Sequence, residues 1–409
     1  MTALQPTRRP RLVVIGNGMA AGRALEELIR LAPTRYQITV FGAEPHGNYN
    51  RIQLSPVLAG DKTLAEIMLN ERAWYTEQGI ELHAGLSVTT IDRDQRQIIA
   101  ADGRSTPYDV LLLATGARPR RLSLPGAGLA GVLTFRTIED VSQMLAAVQA
   151  GCRQAVVIGG GLLGLEAAYG LRQQGLDVQL IHLKSHLMDR QLDAPAARLL
   201  LRHVQALGIQ VELQAESEAL LGENGRVRAL RLQDGRILPA ELVVMTAGIQ
   251  PRIELAQAAG LAVERGVVVN AKLQTSDPHI YALGECVQHR GICYGLVAPL
   301  WQQAKVVAEQ LAGRQTAQFI GTIPATTLKV TGVDVFSSGD FHAGPGREVL
   351  TLNDPQAGIY KKLVLQNNRL LGAVLIGDAR LGPWYLAQLG QDVSTLRDDL
   401  MFGPVDAAA

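Results

Sequence analysis

Two glycine clusters carry the residues of this 409-residue chain best suited to chemistry. The first, Gly16-Asn-Gly18-Met-Ala-Ala21, follows the β-branched run Leu12-Val-Val-Ile15. The second, Gly159-Gly-Gly161-Leu-Leu-Gly164-Leu-Glu166, follows Ala155-Val-Val-Ile158 much further along the chain. In such a cluster the first glycine allows a tight turn. The second lacks a Cβ, so the backbone can approach a pyrophosphate, and the third lets the helix lie close to the strand. The helix N-terminus then faces the phosphates with its free N–H groups. One such match is a weak signal. Two in one chain imply two dinucleotide sites, and electron transfer between a nicotinamide and a flavin is the chemistry they most readily serve. The first cluster departs slightly from the pattern, with Ala21 in its third position and Gly22 beside it.

The residues after each second strand extend the reading. Glu44 follows the strand Gln37 to Phe41, downstream of Gly16, where a carboxylate can accept both hydroxyls of an adenosine ribose. The plainer reading of Glu44 is a solvated loop carboxylate. Arg51, in the turn-rich loop Gly47 to Ser55, is placed to contact the pyrophosphate or ribose as a planar multi-donor cation. The second unit closes its strand Asp177 to Ile181 with His182, followed by Leu183 and Lys184. An acid there would hold the 2′-hydroxyl of NADH, whereas a cation tolerates the 2′-phosphate of NADPH. With no acid present, the ground for strict NADH use is removed and the balance leans to NADPH.

The elements that must position these residues follow in order. A crossover helix is expected over 19–31, and a helical stripe over 61–78 on Leu64, Ile67, Met68 and Trp74. Short strands are expected over 80–91, 96–100, 209–213 and 226–233, and a helix over 199–207. The strand of Tyr108 to Leu113 runs into Thr115-Gly116, whose small residues let the backbone pass close to a bound dinucleotide. Glu241 to Pro251 echoes it with Thr246 and Gly248, so the chain reads as two like-built halves. A further strand ends at Gly284, and Glu285 follows where a carboxylate can accept a ribityl hydroxyl. Pro299 near the first turn of the next helix marks an N-terminus whose dipole favours negative charge on a reduced flavin. Residues 319–380 alternate like a small mixed or antiparallel sheet, and the stretch 385–409 reads as helix followed by an Ala-rich end.

The expected fold is therefore α/β: two Rossmann-like dinucleotide-binding domains, one inserted in the other, plus a small C-terminal α+β domain. The boundaries are 11–118 and 246–318 for FAD, 119–245 for NAD(P)H, and 319–400 for an interface domain that could serve self-association or a partner. A net charge of +1 and no long basic run exclude nucleic acid as the obvious partner. No apolar run approaches the ~18 residues of a membrane span, and the N-terminal stretch 1–10 lacks the apolar core of a secretory signal. Cys152, Cys286 and Cys293 are too few and too scattered for a disulfide framework, and no metal site is expected; a reducing cytoplasm fits.

With these motifs in hand, the chain resembles the two-dinucleotide flavoprotein superfamily of pyridine nucleotide oxidoreductases over roughly residues 11–380. Within it, the chain is most similar to the flavin part of the NAD(P)H nitrite reductase large subunit and to electron-transfer subunits of assimilatory nitrate and nitrite reductases. The matching stretches are Val14 to Met19, Arg136 to Asp140, Gly159 to Ala168, Gln191 to Asp193, Gln274 to Pro278 and Gly295 to Pro299. The resemblance implies that Gly16, Gly18, Glu44, Arg51, Thr115, Gly116 and Glu285 hold FAD. It also implies that Gly159, Gly161, Gly164 and Glu166 lie along the nicotinamide cofactor; because a hydride step needs no acid–base residue, Glu166 is expected to shape that pocket rather than transfer a proton. The departures narrow the choice. No cysteine precedes Cys152, so the thiol chemistry of the disulfide reductases is excluded, and the single-cysteine oxidases are disfavoured. Ferredoxin and rubredoxin reductase relatives often carry Leu-Ser-Lys where this chain has Leu54-Ser55-Pro56. Three scattered cysteines cannot hold an iron–sulfur cluster or sirohaem, so the final acceptor is expected on another polypeptide: a nitrite or nitrate reductase, with a rubredoxin or ferredoxin as the alternative.

Overall fold

A computed structural model describes residues 8–314, 316–328 and 332–404. The chain forms two compact units. The first takes the residues up to Arg51, then Leu64–Arg118 and Ile249–Thr322; the second takes Ile52–Thr63, Pro119–Gly248 and the residues from Ile323 on.

The first unit is built on a five-stranded parallel sheet. Its spatial order is Ile280–Ala282, Val110–Leu113, Arg11–Ile15, Gln37–Gly42 and Ile80–Ala84. Leu12, Val13 and Val14 of the central strand are at most 1% exposed, as an unbroken apolar run requires when both sheet faces are covered. The helix Met19–Leu31 crosses over and packs against Val297–Leu311. The Gln274 to Pro278 stretch has a structural task here. Asp277 accepts a hydrogen bond from Arg93 Nε at 2.8 Å and another from the His279 amide at 2.9 Å.

The second unit repeats the plan. Its parallel sheet runs Val132–Thr134, Leu242–Met245, Gln154–Ile158, Asp177–His182 and Gln210–Leu213. The Arg136 to Asp140 stretch is a capping box: the Asp140 amide donates to Thr137 Oγ1 at 3.1 Å, and Asp140 Oδ2 accepts from the Thr137 amide at 3.0 Å. The helix Leu54–Ala59 also belongs to this unit, and it packs against Leu162–Gln173. Gly170 makes that approach close, since a Cβ there would fall 2.8 Å from Leu58 Cγ.

The C-terminal part of the second unit is a five-stranded antiparallel sheet with the helix Gly382–Gln388 against it. Asp193, at the end of the Gln191 to Asp193 stretch, anchors it. Asp193 Oδ1 caps the helix Ala194–Ala206 through the Ala196 amide at 3.2 Å. Its Oδ2 accepts from the Tyr360 hydroxyl at 2.8 Å and from Lys362 Nζ at 2.9 Å, both on the strand Ile359–Gln366.

Two expectations fail. Residues 61–78 are not one helix but a 3₁₀ turn Ala65–Ile67, a strand Met68–Asn70 and a helix Arg72–Glu77. A ladder pairing Asn70 with Asn48 and Met68 with Tyr49 holds the middle extended, and Leu64 is 38% exposed rather than part of a buried stripe. The stretch 385–409 is helical only in the end of Gly382–Gln388 and in the 3₁₀ turn Ser394–Leu396, because Gly390 turns the chain at φ +78°; the Ala-rich end lies outside the described residues. Among the described residues no helix is long and apolar enough to cross a membrane.

Lys362 and Asp193 are both largely buried, so removing one leaves the other's charge uncompensated. Asp193→Ala is expected to weaken the Ile359–Gln366 strand by roughly 3 kcal/mol, read as faster amide hydrogen exchange there. The double variant Asp193→Ala with Lys362→Met should recover much of the loss. Unchanged exchange in the single variant would contradict the anchor.

Candidate functional site

In the first unit the strand Arg11–Ile15 delivers Gly16 at φ +109°, a conformation that favours glycine. A Cβ on Gly16 would stand 2.1 Å from Ala114 O, so the turn has no room for one. Gly18 caps the helix Met19–Leu31 with no side-chain cap and no acidic residue in the first turn, and nothing lies within 4 Å of where its Cβ would be. A bare helix N-terminus behind an open glycine is a fit for a pyrophosphate. Ala21 is fully buried in the unit's core, and the close approach falls instead at Gly22, where a Cβ would sit 2.7 Å from Asn48 Nδ2.

Around this loop Glu44 and Arg51 form one ion pair, Arg51 Nη2 to Glu44 Oε1 at 2.6 Å. The Tyr49 hydroxyl donates to Glu44 Oε2 at 2.7 Å, and the Arg51 guanidinium lies over the Tyr49 ring, 5.0 Å from its centroid. Burial alone would raise the Glu44 pKa, but the Arg51 charge and the Tyr49 and Arg51 hydrogen bonds outweigh it and hold the carboxyl below its usual range. Glu44 is therefore an anionic acceptor, as a ribose site needs. Glu285 is near enough for its charge to act on Arg51. Thr115 Oγ1 donates to Arg252 O at 2.9 Å, and the Gly116 carbonyl accepts from the Arg252 amide at 2.9 Å, so this turn is tied to the strand end that returns to it. The Gly284 amide donates to Gln303 Oε1 at 2.8 Å. Gln303 is fully buried on the helix Val297–Leu311. Among the described residues, neither its Nε2 nor the buried Asn17 Nδ2 has a hydrogen-bond partner. Two buried donors without acceptors suit a unit that takes a polar cofactor.

The second unit repeats the cradle with different supports. Gly159 stands at φ +124°, where a Cβ would fall 2.7 Å from Thr246 O, and a Cβ on Gly164 would fall 1.7 Å from Gly159 O. The Thr246 hydroxyl donates toward Ile158 O at 3.0 Å and Gly159 O at 3.1 Å. Gly161 caps the helix Leu162–Gln173 with no side-chain cap and no first-turn acid, and the space around its Cβ position is open. His182 is turned inward: it is 8% exposed, and its Nδ1 accepts from the Gly160 amide at 3.0 Å. Burial lowers its pKa despite Asp189, whose Oδ1 stands 3.4 Å from Nε2, so the ring is neutral. His182 shapes the glycine loop, and Lys184 is the exposed cation beside it.

Glu166 lies one turn into the same helix. It accepts from the Ser55 hydroxyl at 2.5 Å, and among the described residues no cation pairs with it. Burial pushes its carboxyl up to about 7, with the Ser55 hydrogen bond pulling the other way.

The first unit thus gathers Gly16, Gly18, Ala21, Glu44, Arg51, Thr115, Gly116, Gly284 and Glu285, and the second Gly159, Gly161, Gly164, Glu166 and His182. Sequence reasoning missed Thr246, Gln303 and Ser55 as supports. For Thr246 the signal was present in the Thr-Gly echo; for Gln303 and Ser55 no spacing marked them.

Comparison with known proteins agrees with this geometry. A family model described as pyridine nucleotide-disulphide oxidoreductase matches residues 10–310, and one described as the rubredoxin NAD+ reductase C-terminal domain matches residues 324–392. The chain is 49% identical to the nitrite reductase [NAD(P)H] of Bacillus subtilis, over 91% of this chain and 46% of that protein. It is 44% identical to the assimilatory nitrate reductase electron transfer subunit of the same organism, over 91% and 48%. The chain therefore spans about half the length of these curated relatives. Among solved structures, the covalent putidaredoxin reductase–putidaredoxin complex superposes with a TM-score of 0.85 at 27% identity, covering 96% of this chain and 97% of that one.

Two outcomes follow from the geometry. Gly161→Ala is expected to leave folding and flavin content unchanged and, if the open space before this uncapped helix N-terminus takes a pyrophosphate, to weaken NAD(P)H binding at least about tenfold. Gly164→Ala is expected to destabilise the second unit, because its Cβ meets a backbone carbonyl. Equal effects of the two on thermal stability and on nucleotide affinity would contradict the assignment. For Glu166 the folded carboxyl titrates near 7 against an ordinary 4.5, so the folded state holds the extra proton between these values. Its contribution is full below pH 4.5 and is lost as the pH rises to about 7, a fall of roughly 3 kcal/mol. Glu166→Gln should remove that fall, and an unaltered pH–stability curve would contradict it.

Proposed function

We propose a function for a chain that belongs to the pyridine nucleotide-disulphide oxidoreductase family: it is an FAD-dependent NAD(P)H oxidoreductase that passes electrons to a separate redox protein, in the first place an assimilatory nitrite or nitrate reductase. The observation that carries the reading is the doubled cradle. Gly18 and Gly161 each stand open before an uncapped helix N-terminus, in separate units.

A bound FAD would supply hydride acceptance from NAD(P)H and onward electron release. This chain's residues bind and orient. The N-terminal amides of Met19–Leu31 and Leu162–Gln173 hold the two pyrophosphates, and Glu44 takes the adenosine ribose of FAD, with Arg51 holding the carboxylate in place. Glu285 takes a ribityl hydroxyl. The N-terminus of Val297–Leu311, which has no first-turn acid, favours negative charge on the reduced ring. Glu166 shapes the nicotinamide pocket. No proton-transfer residue is needed for the hydride step. We assign 11–118 and 246–318 to FAD, except for Ile52–Thr63 and the turn through Gly248, which fold with the second unit, 119–245 to NAD(P)H and 319–400 to an interface. At the strand end after the second cradle the available cation is Lys184, which leans the preference to NADPH.

Relatives that carry nitrite and nitrate reductase names support the acceptor class. The match of 324–392 to a rubredoxin reductase domain and the likeness to a putidaredoxin reductase support a second reading, a small iron–sulfur carrier as acceptor.

Anaerobic stopped-flow of the yellow protein with NADH and NADPH separately, followed by nitrite, tests the reading. Fast bleaching by one nucleotide and no reoxidation by nitrite alone is the expected result. Reoxidation by nitrite would contradict the separate acceptor, and no bleaching by either nucleotide would contradict the oxidoreductase.

A further inference from the structure

The reading of Glu166 as a nicotinamide-pocket residue leaves unexplained how a carboxyl without a cationic partner among the described residues is held. The answer lies in the segment Ile52–Thr63, which is part of the second unit. Its helix Leu54–Ala59 is fixed on the helix of Glu166 at two further points: Leu58 packs against Gly170, and Gln174 Nε2 donates to Leu58 O at 2.9 Å. Ser55 sits one turn earlier, 2% exposed, and its hydroxyl donates to Glu166 Oε2 at 2.5 Å. We propose that Ser55 is a positioning residue for the nicotinamide site: its hydroxyl fixes the orientation of the Glu166 carboxyl and sets the balance between its charged and neutral forms.

The surrounding groups leave this task to Ser55. Leu54–Ala59 carries no titratable side chain, and the Asp61 and Lys62 that follow it are exposed. On the helix of Glu166 itself the titratable groups are Tyr169 and Arg172, and Arg172 donates to Leu207 O and Leu176 O. The strand Gln154–Ile158 carries none; Asp177–His182 carries Asp177, at its far end, and the neutral His182, engaged by Gly160. Among the described residues, the influences on Glu166 are its burial and Ser55. A serine hydroxyl can donate to a carboxylate or accept from a carboxylic acid, so it serves both forms. Donation favours the anion, and it keeps the carboxyl near neutrality rather than higher. A neutral carboxyl presents an O–H to a nicotinamide amide oxygen, whereas an anion presents only acceptors. Ser55 thereby governs which contacts the pocket offers at a given pH. This inference rests on the placement of Glu166 in the nicotinamide pocket.

The test uses the flavin-loaded protein in four forms: wild type, Ser55→Ala, Ser55→Cys and Glu166→Gln. Ser55→Cys keeps the buried volume nearly constant while replacing a strong donor by a weak one, and it decides the matter where Ser55→Ala does not fold. The first readout needs no nucleotide: the infrared C=O stretch of a protonated side-chain carboxyl, identified as the band that Glu166→Gln removes, followed against pH. Its midpoint should move up by about one unit in either Ser55 variant. The second readout is the pH dependence of NAD(P)H affinity, whose midpoint should move with the first. Unmoved midpoints in the Ser55 variants, with Glu166→Gln still altering NAD(P)H affinity, would overturn the role of Ser55 alone. Unaltered affinity in Glu166→Gln would overturn the nicotinamide-pocket reading, and the proposal with it.

Discussion

The constraint on which both sites depend is the absence of a side chain where strand turns into helix. At Gly16 the carbonyl of Ala114 occupies the space a Cβ would need, and at Gly164 the carbonyl of Gly159 does so. These are backbone atoms that cannot swing away. The approach buries the crossover helix against its strand, and it brings an uncapped N-terminus to the sheet's edge. Gly18 and Gly161 face the other way, into open space. The same residue type thus does two jobs within one short loop: one set of glycines is bare because protein fills the place, whereas the other leaves the space before the helix N-terminus open.

The supports behind the two cradles differ, although the cradles match. Ala114 backs the first loop, whereas Thr246 backs the second with a hydroxyl aimed at two of its carbonyls. His182 adds a hydrogen bond to Gly160 in the second unit, and Asn48 lies against Gly22 in the first. Divergence in the supports fits different nucleotides on a common plan. Within the second unit the C-terminal sheet is fastened to the helix Ala194–Ala206 by the side chain that also caps that helix, Asp193, so one residue couples local helix start to long-range packing.

Much of this was legible in the sequence where geometry is local. The crossover helix expected over 19–31 is Met19–Leu31, and the buried strands before each glycine cluster lie as expected, because an apolar run closed by glycines leaves few alternatives. The helix expected over 199–207 is the C-terminal half of Ala194–Ala206, its start hidden because the capping signal is Asp193 with a proline behind it. Residues 61–78 misled because a ladder with Asn48 and Tyr49, remote in sequence, overrode a helical spacing. His182 was read for its charge, yet its place at a buried strand end makes it a neutral acceptor for the loop. Ser55 and Gln303 carried no pattern at all, since their roles arise from elements that meet only in the fold.

The central claim is that one chain holds two dinucleotides at two distinct sites. Native mass spectrometry of the purified protein, before and after adding NAD(P)+, addresses it most directly. The expected result is a mass increment of one FAD per chain that persists when one NAD(P)+ per chain adds to it. A nucleotide that displaces the flavin, or one that never adds, would contradict the claim.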